Sequence, residues 1–279
     1  MALTAEETSK FVQAGDVKIH YHEAGKGPVL LCIHGGAPGA FGWGNFGRNM
    51  DALSQHFRTL IVDLPGYGAS DKPEIQGGRY GFYARVFRDM LDALGIDKAH
   101  VIGMATGGGA AIKLALDYPE RLDRLILVAS AGGMPVFSMT PSEGQKVIQS
   151  YYGPPGPSRE KMRAYLQMIM YDQSMITDEL IDERYEASID PVFMQTAPEG
   201  RPGTQPVAEP VWKDMEKIKN RTLVVWGRDN RVQGYDNALF MLQRLPNVEL
   251  HIFGQCGLWV PWEKAAAFNV LVENFLTLP

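Results

Sequence analysis

Cysteine is scarce in this chain. Only Cys32 and Cys256 occur, both in apolar or scaffold-like surroundings. That excludes a disulfide framework and makes two buried free thiols the expectation. Long apolar runs are also missing. No stretch of about 18 apolar residues is present, so no transmembrane helix is expected. Met1 to Lys10 is polar and acidic rather than charged and then apolar, unlike a secretory signal, and a reducing cytoplasm is the expected location. Basic excess is absent too. A net charge of −5 disfavours nucleic acid, whose phosphates need a basic surface. Neither internal repeats nor low-complexity segments occur. What remains is 279 residues, 45% hydrophobic and 21% charged, the balance of a soluble globular chain.

The first half alternates between two periodicities. Val17 to His22 reads as a strand, and Val29 to Ile33, Arg58 to Val62, Ala99 to Gly103 and Arg124 to Ala129 are short apolar runs suited to strands buried on both faces. Tyr80 to Leu94 and Gly107 to Tyr118 carry apolar residues at helical spacing. Strands alternating with helices predict an α/β fold with a mostly parallel, doubly wound sheet. After Gly133 the rhythm changes. Met134 to Pro157 is rich in Pro, Gly and Ser, Arg159 to Tyr171 and Thr177 to Ser188 read as helices, and Pro198 to Pro210 reads as a loop. Alternation resumes with a strand over Thr222 to Trp226, a helix over Tyr235 to Leu245, a strand over Val248 to Phe253 and a closing helix over Trp262 to Leu276. The expected organisation is a core of residues 1–133 and 207–279, with a helical lid, residues 134–206, inserted after the sixth strand.

Two glycine-rich turns could carry chemistry. Ile33-His34-Gly35-Gly36-Ala37-Pro38-Gly39-Ala40 follows a buried strand, where backbone amides can approach a substrate oxygen without side chains in the way. The bland alternative is a plain glycine turn. Val101 to Gly109 ends a strand and opens a helix, the setting of a nucleophile elbow, Gly-x-nucleophile-x-Gly. The glycines are Gly103 and Gly107, but the central residue is Ala105, whose methyl group cannot attack a carbonyl.

The loop His34 to Ala40, with Trp43-Gly44-Asn45-Phe46, resembles the oxyanion loop of the carbon–carbon bond hydrolases of aromatic meta-cleavage pathways, within the α/β-hydrolase superfamily. Asp63-Leu64-Pro65-Gly66-Tyr67-Gly68, Tyr118-Pro119-Glu120-Arg121-Leu122, Tyr171-Asp172-Gln173-Ser174 and Cys256-Gly257-Leu258-Trp259-Val260-Pro261-Trp262-Glu263 extend the resemblance over nearly the whole chain. The resemblance implies a Ser–His–Asp triad, and here all three positions differ: Ala105 stands at the nucleophile, Asn230 at the acid and Leu258 at the base. Asp229 is one residue early, so its side chain is expected to point elsewhere. Val128 to Pro135, the other place from which such folds take an acid, holds no carboxylate. Met104, Thr106, Gln233-Gly234 and Val260-Pro261 also depart from the usual pattern, as in drift around all three positions.

By the same resemblance, the Gly36 and Thr106 amides match the oxyanion hole, Arg184 matches a lid arginine that binds the substrate carboxylate, and Gly35, Asn45, Met104 and Trp259 match pocket positions. Without the resemblance, Arg184 reads as part of a solvated helix face beside Glu183 and Glu186. The many Met and Tyr residues of the lid read as packing. The six histidines, His20, His22, His34, His56, His100 and His251, all occupy scaffold-like places, and the Thr106 hydroxyl is a weak candidate nucleophile. No cofactor or metal site is expected. Three readings stay open. The chain is a non-hydrolytic enzyme that stabilises an enolate of a carboxylated, conjugated aromatic metabolite, a non-catalytic binder of such a molecule or of a protein partner, or an inactivated hydrolase. The expected partner is a small aromatic-derived molecule rather than nucleic acid or membrane, with a homo-oligomer left open.

Overall fold

Short apolar segments form the centre of the molecule. A computed structural model describes residues 2–196 and 209–278. Strands β1 (Ser9–Ala14), β2 (Val17–Ala24), β3 (Val29–Ile33), β4 (Arg58–Val62), β5 (Ala99–Met104), β6 (Leu122–Val128), β7 (Thr222–Gly227) and β8 (Val248–Phe253) form one eight-stranded sheet. Its order is β1-β2-β4-β3-β5-β6-β7-β8. From β4 across to β8 every pair is parallel, while β1 and β2 close one edge antiparallel. Strands β5 and β7 are buried along their whole length, as continuous apolar runs between two helical layers should be. β1 escaped the sequence reading because Ser9-Lys10-Phe11-Val12-Gln13 is largely exposed on an edge and carries little apolar signal.

The helices are α1 (Ala5–Thr8), α2 (Gly42–Leu53), α3 (Arg79–Ala93), α4 (Thr106–Asp117), α5 (Glu143–Ser150), α6 (Arg159–Ile169), α7 (Asp178–Ser188), α8 (Pro191–Thr196), α9 (Asp236–Arg244), α10 (Val260–Glu263) and α11 (Ala265–Thr277). α3 packs on α4, and α2 packs on α10 and α11. The closing helix is two helices rather than one. Lys264, at φ −120° and ψ 32°, breaks it, and the Glu263 carboxylate turns away to accept from the Gly257 and Tyr171 amides at 2.8 and 2.7 Å. α2, with three glycines and two asparagines, was not anticipated. Its start is fixed by the tertiary structure, where the buried Asp63 carboxylate accepts from the Gly42 amide at 2.6 Å and the Ala69 amide at 2.9 Å and meets His20 Nδ1 at 2.7 Å. Burial raises the Asp63 pKa, but the His20 contact and these amides outweigh it and leave the group below the usual carboxylate range.

Helices α5 to α8 are inserted between β6 and β7. Side-chain caps start three of them: Ser142 for α5, Ser158 for α6 and Thr177 for α7 each accept from a backbone amide three residues on. The expected loop over Pro198 to Pro210 and the junction at residue 206 lie, apart from Glu209 and Pro210, outside the described residues. The base of the insertion is clamped by Asp236, whose carboxylate accepts from the amides of Val136, Phe137 and Ser138 at 2.8–2.9 Å and from the Ser138 hydroxyl at 2.7 Å. Among the described residues, no helix is long and apolar enough to cross a membrane.

Burial alone would raise the Asp236 pKa, but the four donors reverse this and lower it from 3.8 to about 2. A depressed carboxylate stabilises the fold above its unfolded value, and that contribution is lost as pH falls through the folded value. Asp236→Asn should therefore cost about 2 kcal/mol at pH 7, with the gap from wild type closing between about pH 4 and pH 2. Urea unfolding of both proteins across that range checks this, and a pH-independent gap would show that the clamp does not depend on charge.

Candidate active site

The turn from β5 into α4 is strained. Ala105 lies at φ 46° and ψ −116°, a region that L-residues rarely occupy. It is held there from both sides. Its amide donates to Val128 O at 3.1 Å, and its carbonyl accepts from Gly108 and Ala131, both at 2.9 Å. A side chain on Gly107 would come within 2.4 Å of the Ile33 and His34 carbonyls, so the helix can approach the end of β3 only with glycine there. The sharp turn is thus complete although its apex carries a methyl group. The amides of Thr106 and of Gly36, in the facing loop, find no acceptor among the described residues. The Gly36 peptide is fixed from behind by the Tyr67 hydroxyl, which donates to its carbonyl at 2.9 Å.

A cavity opens beside this turn. It is lined by Met104 and Ala105 of the turn and by Gly35, Ala37, Ala40 and Asn45 of the first glycine-rich loop and the start of α2. Tyr165, Leu166 and Ile169 of α6, Arg184 of α7, and Leu258 and Trp259 also line it. It encloses about 360 Å³ including its mouth, but the free interior is only about 30 Å³, room for one or two waters. Its walls are mostly hydrocarbon. Among the described residues, no group of three or more His, Cys, Asp or Glu side chains is placed to hold a metal.

Arg184 is the cavity's one cation among the described residues, and it is 4% exposed, not solvated beside Glu183 and Glu186. Its terminal nitrogens donate to Gly39 O at 2.9 Å, Gly44 O at 2.7 Å and Asn45 Oδ1 at 3.1 Å. Close contact demands glycine at position 39, where a side chain would strike the Arg184 carbonyl at 2.1 Å. The guanidinium stacks 4.2 Å from the centre of the Trp259 ring, Trp259 stacks on Trp262 at 4.4 Å, and Arg48 covers the far face of Trp262 at 3.8 Å. Burial lowers the Arg184 pKa to about 10, partly offset by Tyr165 and Glu183, so it remains a cation at neutral pH. Two buried donors, Arg184 Nε and Trp259 Nε1, have no acceptor among the described residues. Polar groups buried this way normally have a partner, so these two are suited to a ligand oxygen.

A sequence model described as the alpha/beta hydrolase fold matches residues 28–265. The chain is 38% identical, over 98% of both chains, to a 2-hydroxy-6-oxo-6-phenylhexa-2,4-dienoate hydrolase of Burkholderia cepacia. It is 37% identical to a 2-hydroxy-6-oxononadienedioate/2-hydroxy-6-oxononatrienedioate hydrolase of Burkholderia vietnamiensis, over 98% of this chain and 97% of that one. It belongs to the meta-cleavage product hydrolase family of α/β hydrolases. Among solved structures, a mutant meta-cleavage product hydrolase of Pseudomonas fluorescens, complexed with acetates, superposes with a TM-score of 0.85 at 35% identity, over 96% of this chain and 97% of that one.

Of the residues singled out from the sequence, Gly35, Asn45, Met104, Ala105, Arg184, Leu258 and Trp259 meet around the one cavity. Gly36 and Thr106 flank it without lining it. Asn230 lies outside. Its Oδ1 accepts from the Val232 and Gln233 amides at 2.9 and 3.0 Å, while its Nδ2 is buried with no acceptor among the described residues. Asp229 faces a separate surface hollow with Arg228 and Arg231. None of the six histidines lines the cavity. His34, its pKa lowered to about 4 by burial, takes the Leu64 amide on Nε2 and faces Gly35 O with Nδ1, which fixes it as a neutral scaffold group. Tyr165, Leu166 and Ile169 were missed as site residues, because on a helix rich in Met, Leu and Tyr they read as packing.

The strain at Ala105 can be measured. Ala105→Gly removes a left-handed alanine worth about 1–2 kcal/mol of strain and adds about 0.5–1 kcal/mol of unfolded-state entropy. Stability in urea should hold or rise. A loss above about 1 kcal/mol would show that the turn is not strained.

Proposed function

We propose that this chain is a non-hydrolytic enzyme that stabilises an enolate or dienolate of a carboxylated, conjugated, aromatic-derived metabolite, without metal or cofactor. The observation that carries the reading is the elbow itself. It keeps its strained turn and the Thr106 amide, which with the Gly36 amide of the facing loop has no acceptor among the described residues, while the side chains at the nucleophile and base positions, Ala105 and Leu258, are hydrocarbon. Asn230, in the place of the acid, is a neutral amide occupied with its own loop. A serine mechanism needs a nucleophile, a base and a group to orient the base. In a serine protease, removing that set costs about a million-fold in turnover. Donors aimed at a developing oxyanion act without it.

In this reading the Gly36 and Thr106 amides receive the enolate oxygen. Arg184, through its unclaimed Nε, takes the carboxylate together with Trp259 Nε1 in a charge-assisted contact. Gly35, Asn45 and Met104 shape the pocket, and residues 134–206 act as its lid over a core of 1–133 and 207–279. The relatives' names supply the substrate class, 2-hydroxy-6-oxo-dienoates. The chemistry open to such a site is isomerisation, elimination, decarboxylation, retro-aldol cleavage or attack of oxygen on the carbanion. The proposed setting is the cytoplasm.

The test is direct. With 2-hydroxy-6-oxo-6-phenylhexa-2,4-dienoate, the absorbance of the conjugated dienolate should change in the presence of enzyme without stoichiometric release of benzoate. Benzoate release at many turnovers would return the chain to hydrolysis. Tight binding with no chemical change would favour a non-catalytic binder.

A second test asks whether the pocket still accepts the missing groups. The triple variant Ala105→Ser, Asn230→Asp, Leu258→His should stay poor at benzoate release. The loops around Gln233-Gly234 and Val260-Pro261 differ from the family pattern, and an ångström of misplacement costs on the order of a hundred-fold. Robust hydrolysis by the triple variant, with little from any single change, would instead identify an inactivated hydrolase.

A further inference from the structure

Away from the cavity, three side chains at the antiparallel edge of the sheet stand in the order nucleophile, base and orienting acid. The Ser9 hydroxyl lies 2.9 Å from His20 Nε2, and His20 Nδ1 lies 2.7 Å from Asp63 Oδ2. Strand register explains how they meet. β1 and β2 pair with Ser9 opposite His22 and Phe11 opposite His20, so Ser9, Phe11, His20 and His22 share one face of the ribbon. Asp63 directly follows β4, and its amide donates to His20 O at 2.9 Å, which places its carboxylate beside the ring. The His20 amide in turn donates to Ser70 Oγ at 2.9 Å. His20 and Asp63 are 7% and 3% exposed, whereas Ser9 is open to solvent.

The acid fixes the tautomer. A carboxylate facing Nδ1 needs a proton there, which in the neutral ring leaves Nε2 to accept from the Ser9 hydroxyl. A base within hydrogen-bond reach, oriented by a third group, is the arrangement that activates a serine. We propose that Ser9, His20 and Asp63 form a second reactive site, separate from the elbow cavity, at which small esters with an apolar acyl group acylate Ser9 and the acyl group passes to water. Phe11, 49% exposed and with its ring centre 4.9 Å from that of His20, offers an apolar surface on the same face. Lys18, its ammonium 4.5 Å from the Phe11 ring centre, brings a positive charge to that face for the carbonyl oxygen that turns negative. The steps balance with ester and water alone. Ser9 Oγ bonds to the carbonyl carbon as its proton passes to His20 Nε2. The tetrahedral adduct expels the alcohol, which takes that proton. Water then gives a proton to the same nitrogen as it attacks the acyl-serine, and the carboxylic acid leaves as the proton returns to Ser9. Asp63 is a positioning residue, holding the ring with the carboxylate that also accepts from the Gly42 and Ala69 amides. The site does not depend on the enolate reading of the cavity.

The experiment treats the full-length protein with a fluorophosphonate probe, maps the adduct by mass spectrometry, and follows p-nitrophenyl acetate hydrolysis in parallel. The adduct should fall on Ser9, in the tryptic peptide that ends at Lys10. Ser9→Ala should abolish it and slow ester turnover by on the order of 100-fold. His20→Gln, which keeps a donor for Asp63 but no base, should leave Ser9 unlabelled. Wild type no faster than buffer, Ser9→Ala as fast as wild type, or an adduct on another residue, such as Lys10 or Lys18, overturns the proposal. Labelling of Ser9 at the wild-type rate in His20→Gln, or in wild type unfolded by urea, shows a merely exposed hydroxyl and overturns it too. Where His20→Gln does not fold, the comparison of wild type with Ser9→Ala and with unfolded protein decides. Conversion of the dienoate should be the same in Ser9→Ala and wild type, so failure here leaves the enolate reading standing.

Discussion

The Arg184 guanidinium joins the two parts of the molecule. It reaches from the inserted helices into the core and donates to two carbonyls and a carboxamide there, with no ion pair to a carboxylate among the described residues. A buried cation is costly unless its charge is compensated. Here carbonyl dipoles, the face of Trp259 and the ring of Phe41 share the task. The compensation is partial, as the lowered pKa and the unsatisfied Nε indicate. The stack that begins at Arg184 and runs through Trp259 and Trp262 to Arg48 helps fix the orientation of the guanidinium. A cation held in this way by neutral partners keeps most of its attraction for an anion.

The same economy marks the elbow. A turn that holds alanine at positive φ has a conformational cost, and the surrounding hydrogen bonds to Val128, Gly108 and Ala131 maintain it. It leaves the Thr106 amide, like the Gly36 amide of the facing loop, without an acceptor among the described residues. The loop bearing Gly36 is braced independently by Tyr67 and His34, and the adjoining start of α2 by Asp63. Asp63 and Tyr67 come from one motif, Asp63 to Gly68. Residues of that kind attract a catalytic reading, yet their hydrogen bonds are spent on holding loops. The chemistry-bearing side chains of this chain are mostly scaffold, and the cavity is left with few polar groups and much hydrocarbon.

Periodicity made the sheet legible. Apolar runs such as Val29–Ile33 and Leu125–Val128 have only one good fate beside amphipathic helices, a parallel sheet covered on both faces. Polar edges and glycine-rich helices were not legible in the same way. β1 exists because β2 offers it a strand edge just across the turn at Gly15 and Asp16, although β1 itself carries little apolar signal, and α2 starts where it does because Asp63, distant in sequence, accepts from its first amide.

The identity of the family and the place of each motif were fixed by local sequence, because glycine spacing and strand-to-helix alternation act over a few residues. Ala105, Leu258 and Asn230 were equally visible there, as was the absence of a spare histidine at the turn. Tertiary structure alone decided which side chains share a space. It buried Arg184 where its neighbours Glu183 and Glu186 had suggested solvent, turned Asn230 and Asp229 away from the cavity, and brought Tyr165 into it. The reason is geometric. A helix presents several residues per turn, and which of them meets a cavity depends on how the helix is docked, here by Arg184 and by the Asp236 clamp at the base of the insertion.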